Sequence, residues 1–224
     1  MKELILFFVF SIVQFYAFNQ NSIDTSGVNG IFLDNRNGQQ YPWIKIGTQI
    51  WMGKNLNIGM MIKTKKDQTN NEIIEKYCYK NDSANCLIYG GFYQWEEMMQ
   101  YNSREASQGI CPSGWHLPTK QEWITLFIYL GGETDAGGKL KSTTTDWYAP
   151  NEGATNKSGF NALPSGWKTL DGKSDALTMF SIFWTSSKSS SDYAFSVLLK
   201  CNKVQVQVDE MNKKAGFSVR CIRN

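Results

Sequence analysis

Gly114-Trp115-His116-Leu117-Pro118-Thr119-Lys120-Gln121-Glu122-Trp123 decides how this chain is to be read. Thr119 followed by Glu122 is a capping box, in which each side chain satisfies a free N–H at a helix start. Trp123, Leu126, Phe127 and Leu130 then recur at helical spacing, and Gly131-Gly132 stops the run. The spacing predicts an amphipathic helix over residues 120–130. Cys111 stands just upstream of it, and Cys221 lies almost at the C-terminus. A crosslink between them would tie the helix start to the last strand.

Outward from this stretch, residues 89–101 form a second helix candidate. Phe92, Trp95 and Met99 share one face, while Glu96, Glu97 and Gln100 point away. Residues 41–52 read as a hairpin, with Trp43-Ile44-Lys45-Ile46 and Gln49-Ile50-Trp51-Met52 flanking Gly47-Thr48. Residues 59–74 are a polar loop, and 75–79 return as a short strand. Residues 180–186, 193–199, 204–208 and 217–222 read as consecutive antiparallel strands. Val204, Val206 and Val208 alternate with Gln205 and Gln207, as in a half-buried strand. Two helices between an early hairpin and late strands make an α+β domain.

The chain has 224 residues and a formal net charge of +3. This length suits one domain with a leader and an arm. The charge is too small and too scattered for a nucleic-acid partner. Lys63, Lys65 and Lys66 form the one tight basic cluster, which a solvated loop explains. Residues 1–17 read as a signal peptide: Lys2 supplies the basic start, residues 4–13 the apolar core and Ala17 the cleavage point. The apolar run is short for a membrane span. An uncleaved anchor is the other reading, and no nearby cysteine offers a lipoprotein anchor. Residues 18–40 are rich in Asn, Gln, Ser and Gly and read as an arm or linker, within which Ile31-Phe32-Leu33 is a candidate edge strand.

In an exported chain, disulfides are the default state of cysteines. Cys78–Cys86 would close a small polar loop, and Cys111–Cys221 would close most of the domain. Cys201 is left over, as a buried thiol, an intermolecular partner or a reactive group.

Several motifs, in order, then resemble one family. They include Trp43-Ile44-Lys45-Ile46-Gly47-Thr48-Gln49-Ile50-Trp51-Met52-Gly53-Lys54-Asn55-Leu56-Asn57, Tyr89-Gly90-Gly91-Phe92-Tyr93-Gln94-Trp95 and Cys111-Pro112-Ser113-Gly114-Trp115-His116-Leu117-Pro118. Gly159-Phe160-Asn161-Ala162-Leu163-Pro164-Ser165-Gly166 and Phe217-Ser218-Val219-Arg220-Cys221-Ile222-Arg223 follow. Over residues 41–224 the chain resembles the Fibrobacter succinogenes major paralogous domain. The resemblance implies an exported bacterial protein and carries no activity with it. It also implies a distant likeness to C-type-lectin-like folds, including the formylglycine-generating group. Fold alone does not give function.

The candidate chemistry is sparse. His116 is the only histidine, so a zinc site built on several histidines is excluded and a Ser-His-Asp arrangement has one possible base. Its place beside the helix start is explained by packing. Asp82, Asp135, Asp146, Asp171, Asp175, Asp192 and Asp209 are dispersed without calcium-loop spacing. Glu96 and Glu97 are adjacent on one helix and do not flank a cleft as glycosidase carboxylates do. Cys201 is the one residue on which an oxidase of the formylglycine-generating type could rest, and it lacks a thiol partner.

No metal or cofactor is expected from these residues. The expectation is a secreted or cell-surface recognition module, non-catalytic, whose partner is a polysaccharide or a surface protein. Trp147, Trp167, Trp184 and Tyr193 are the candidate ligand platform, because sugar rings stack on exposed aromatics and these lie in or near loop-like segments. Packing in the core is the competing explanation for each.

Overall fold

The computed structural model of the chain describes residues 28–224. The leader read at 1–17 and the first part of the arm lie outside the described residues. In chain order the elements are β1 (Asn29–Asp34), β2 (Gln39–Ile46), β3 (Gln49–Met52), β4 (Met60–Met61), β5 (Glu75–Lys76), a 3₁₀ turn at Tyr79–Asn81, α1 (Ser83–Tyr89), α2 (Trp95–Met98) and β6 (Trp115–His116). They continue as α3 (Lys120–Tyr129), α4 (Glu133–Leu140), β7 (Trp167–Lys168), β8 (Ser174–Asp175), β9 (Phe180–Lys188), β10 (Tyr193–Lys200), β11 (Gln207–Asn212) and β12 (Ile222–Arg223). The fold is α+β with largely antiparallel sheets. One sheet runs β1-β2-β3-β12-β6 and another β11-β10-β9, with the small pairs β4-β5 and β7-β8 beside them.

The hairpin forms as its alternation predicts, with Ile44 opposite Trp51 and Trp43 opposite Met52. The Ile31–Leu33 run becomes β1, paired antiparallel with β2 at the sheet edge. The C-terminal segment is the spine of the domain. The N–H of Phe217 donates to the Tyr93 carbonyl, that of Leu56 to Val219 and that of Met52 to Cys221. One extended run thereby ties the hairpin sheet to the helical middle of the chain.

Both halves of the capping box at α3 are made: Glu122 N–H donates to Thr119 Oγ1 at 3.1 Å, and Thr119 N–H donates to Glu122 Oε2 at 2.8 Å. Trp123, Leu126 and Phe127 of this helix are buried. Trp123 packs on Trp51 with ring centroids 4.6 Å apart and on Phe183 at 5.5 Å. A fully buried side chain of this size stabilises by about 1.5–3 kcal/mol, so this aromatic cluster is a main prop of the core.

Among the described residues four α-helices form where the sequence pattern predicts two. The helix expected over residues 89–101 is broken. α1 ends at Tyr89 with Gly90 as its cap, and Gly91, Phe92 and Tyr93 spend their N–H groups on Leu56, Tyr77 and Phe217 instead of on helical partners. Only α2 remains of that stretch. The small cysteine loop is not merely a loop but holds α1, capped by Asp82, whose side chain accepts from Ala84 N–H at 2.9 Å. α4 was hidden by its glycines. They are there for clearance: a Cβ on Gly137 would sit 2.4 Å from the Val204 carbonyl oxygen, and one on Gly138 would sit 2.3 Å from that of Gly153. The same contact displaces the strand expected at 204–208. Val204 and Val206 bond α4, through Gly138 N–H to Val204 and Val206 N–H to Glu133, and β11 starts later, at Gln207.

Both disulfides form as paired from the sequence. Cys78–Cys86 spans 8 residues and Cys111–Cys221 spans 110. Cys201 is a free, buried thiol. Among the described residues no helix is long and apolar enough to cross a membrane.

Candidate functional site

The four aromatic candidates do not share a surface. Trp147 is only 4% exposed, and its indole N–H donates to the Ala162 carbonyl at 3.0 Å. Trp184 is fully buried, donates to the Tyr93 carbonyl at 2.8 Å and packs on Phe217 at 4.3 Å. Neither ring offers a face to a ligand, which corrects the expectation from sequence. Loop-like position did not mark exposure here, because a buried indole needs one acceptor and a backbone carbonyl supplies it. Beside Trp147 it is Tyr148 that faces solvent. Trp167 on β7 is half-buried against Phe217, and Tyr193 at the start of β10 is 44% exposed.

A recess of about 90 Å³ with mixed polar and apolar walls lies elsewhere, where the start of β2, residues 53–57, the end of α1 and the loop after Phe160 converge. Amides dominate its wall: Gln39, Gln40, Asn55, Asn57 and Asn161. The three asparagines are held from behind. Asn57 N–H donates to Tyr41 Oη at 3.0 Å, and the Asn57 side-chain oxygen accepts from Lys76 Nζ at 2.6 Å. Asn55 Nδ2 donates to the Tyr89 carbonyl at 2.8 Å. Asn156 and Asn161 exchange hydrogen bonds across their loop. Leu87 and Ile88 of α1, exposed at 76% and 56%, line the recess too, as does exposed Lys54.

Arg220 also lines this recess, yet it is 1% exposed. Its guanidinium donates from Nε to Asn55 Oδ1 at 2.8 Å and from Nη1 to the carbonyls of Met52, at 3.2 Å, and Phe160. Nη2 donates to the Asn161 carbonyl at 3.2 Å. It lies over the Phe160 ring at 4.1 Å. Among the described residues no carboxylate answers its charge, and burial pulls its pKa down. Sequence reasoning missed this residue. Its signal was a cation inside the otherwise buried run Phe217-Ser218-Val219-Arg220-Cys221-Ile222, where an arginine must have internal acceptors.

His116 joins a clasp at the C-terminus rather than a catalytic array. One ring nitrogen meets Asn224 Oδ1 at 2.7 Å and the other Glu122 Oε1 at 2.9 Å. Burial pushes its pKa down, but the hydrogen bonds to Glu122 and Asn224 and the Glu122 charge outweigh this, and the net shift is upward. Burial pushes the Glu122 pKa up, but His116 and the Thr119 bonds outweigh it, so Glu122 is lowered. The native state therefore holds the His116 proton more tightly than the unfolded chain. The stabilisation from His116 is complete below its unfolded pKa near 6.5 and is lost as pH rises through its higher native value. That from Glu122 is present above its unfolded pKa and is lost as pH falls through its lowered native value. Urea unfolding across the neutral range should show stability falling with rising pH more steeply in the native protein than in His116→Gln. Parallel pH profiles would refute the clasp.

The remaining candidates are structural in their contacts. Glu97 is buried, accepting from Glu75 N–H and Tyr101 Oη–H, each at 2.8 Å, while Glu96 pairs with Lys213 at 3.0 Å. Cys201 lies near Lys141, whose ammonium is caged by the carbonyls of Glu152, Lys200 and Lys203 at 2.8, 3.0 and 2.9 Å. Among the described residues no three His, Cys, Asp or Glu side chains converge as a metal site.

A family model described as Fibrobacter succinogenes major domain matches residues 44–223. The comparisons with curated proteins and with solved structures returned no match.

Proposed function

We propose that this chain, which belongs to the Fibrobacter succinogenes major domain family, is an exported, non-catalytic recognition module that binds polysaccharide at the recess beside α1. The leader read at residues 1–17 supports export to the cell surface or beyond. A hairpin and late strands enclosing the helices, closed by a long-range disulfide, support a C-type-lectin-like assignment of the fold.

The observation that carries the binding reading is the lining of the recess. Amide side chains give and accept hydrogen bonds and so match sugar hydroxyls, while Leu87 and Ile88 offer apolar area to a ring face. The wall is pre-organised by the bonds behind it, which lowers the ordering cost of binding. With no carboxylate in the lining, the recess lacks the anionic ligands on which calcium sites rely, so binding should be calcium-independent. Cys201, 3% exposed, does not present the accessible thiolate that an oxidase would need.

The test is retention of the protein on immobilised polysaccharides, with and without chelator. Chelator-resistant retention, weakened about 2–10-fold in Gln40→Ala, is expected, the equivalent of one hydrogen bond. Retention indifferent to Gln40→Ala and to Leu87→Ala would remove the recess from the account. A second reading is favoured by one feature. Beside the β2–β3 turn, Thr48, Thr125, Ile128 and Tyr129 line a groove of about 490 Å³, with both Ile128 and Tyr129 exposed. Contiguous exposed apolar area suits a protein partner, and failure of every polysaccharide would move the weight there.

A further inference from the structure

We propose that the recess is a receptor for the carboxylate of an acidic sugar, so that the ligand is a uronate-containing polysaccharide. The proposal rests on the polysaccharide reading above and narrows it.

Charge carries the first step. Arg220 and Lys54 line the recess, and Lys76 backs its wall through Asn57. No Asp or Glu lines it. Asp34, whose charge reaches Tyr41 of the wall, is neutralised by Arg36, which grips both of its carboxylate oxygens at 2.9 and 2.8 Å. Among the described residues the recess is therefore positive with no internal counterion, and a positive concavity with low-dielectric walls attracts an anion.

Donor counting carries the second. A guanidinium has five N–H groups. The four bonds to Asn55, Met52, Phe160 and Asn161 leave one, on Nη2. Arg220 is nine-tenths buried and more, and it borders the recess, where an acceptor on a ligand could take up this last donor. A buried N–H without an acceptor costs about 1–3 kcal/mol, which a ligand oxygen would relieve. Lys54 at the surface supplies a second charged donor. Two charged donors flanked by amides match the two oxygens of a carboxylate. A phosphate or sulfate, with three free oxygens, would call for a larger set. Leu87 and Ile88 then meet the ring that bears the carboxylate.

The test is calorimetric titration of the protein with oligomers of galacturonate, glucuronate and mannuronate. Each is compared with its methyl ester, and a sulfated galactan oligomer serves as the sulfate arm. At least one oligouronate should bind, with its methyl ester about tenfold weaker or worse, the value of one charge-assisted hydrogen bond. Lys54→Gln should weaken it about 3–10-fold and flatten its salt dependence. Leu87→Asp, which adds a like charge at an exposed position, should weaken it at least as much. Both substitutions are of exposed side chains, and unchanged melting temperatures will show that the fold is intact. Equal binding of acid and ester, preference for the sulfated oligomer, or binding of neutral polysaccharides alone would overturn the carboxylate while leaving saccharide recognition standing. Failure of all saccharides would overturn both.

Discussion

Replacing Cys221 by Ser should lower stability by about 4–5 kcal/mol under oxidising conditions, the chain-entropy value for a closed loop of 110 residues. For a chain of this size that is a fall in melting temperature of about 8–20 °C. The native contacts give no relief. Cys221 is fully buried, its carbonyl accepts from Met52 N–H, and it sits between Arg220 and β12 in the run that joins both halves of the domain. A serine hydroxyl there would add a buried polar group without a partner. Cys78→Ser is the internal control. Its loop spans 8 residues, for which the same relation gives about 2.5 kcal/mol. Thermal unfolding of both variants, with and without reductant, is the measurement. Reduction opens both bridges, so it should bring the native protein below the oxidised Cys221→Ser variant. A variant that melts with the native protein under oxidising conditions would mean that the long closure contributes nothing.

This crosslink was legible because a leader-like start makes disulfides the expected state, and the positions of Cys111 and Cys221 then suggest the pair. The capped helix was legible for a related reason: Thr119, Glu122 and the glycines after Leu130 are local signals for local structure. The hairpin at Gly47-Thr48 belongs to the same class. What stayed hidden was set by contacts between distant segments. Gly137 and Gly138 are poor helix formers, and α4 carries them because it lies against the carbonyls of Val204 and Gly153. The helix expected through residues 89–101 failed because Tyr93 pairs with Phe217, a partner far along the chain. Trp147 and Trp184 lie in or near loop-like segments, yet their rings turn inward to the carbonyls of Ala162 and Tyr93. The recess drew on five separate stretches, and only the oddity of Arg220 in an apolar run pointed toward it.

Arg220→Met should cost at least about 3–5 kcal/mol, although it removes a buried charge. Two effects compete. Burying a guanidinium with no carboxylate is unfavourable, and a methionine of similar length would escape that cost. Against this stand the acceptors. The carbonyls of Met52, Phe160 and Asn161 and the Oδ1 of Asn55 all take their hydrogen bonds from this one side chain. Each stranded acceptor costs about 1–3 kcal/mol, so four of them exceed the relief. The ring of Phe160 also loses a cation at 4.1 Å. Arg220→Lys should be the milder change. It keeps the charge, but an ammonium on a flexible stem cannot reach acceptors spread around a planar fork. Urea unfolding of the three proteins decides the matter. A Met variant as stable as the native protein would show that the four bonds only balance the cost of the charge. The predicted order, native above Lys above Met, would mean that the fold needs the guanidinium for its own closure. The positive floor of the recess would then be fixed by folding itself, with one donor left over for whatever enters.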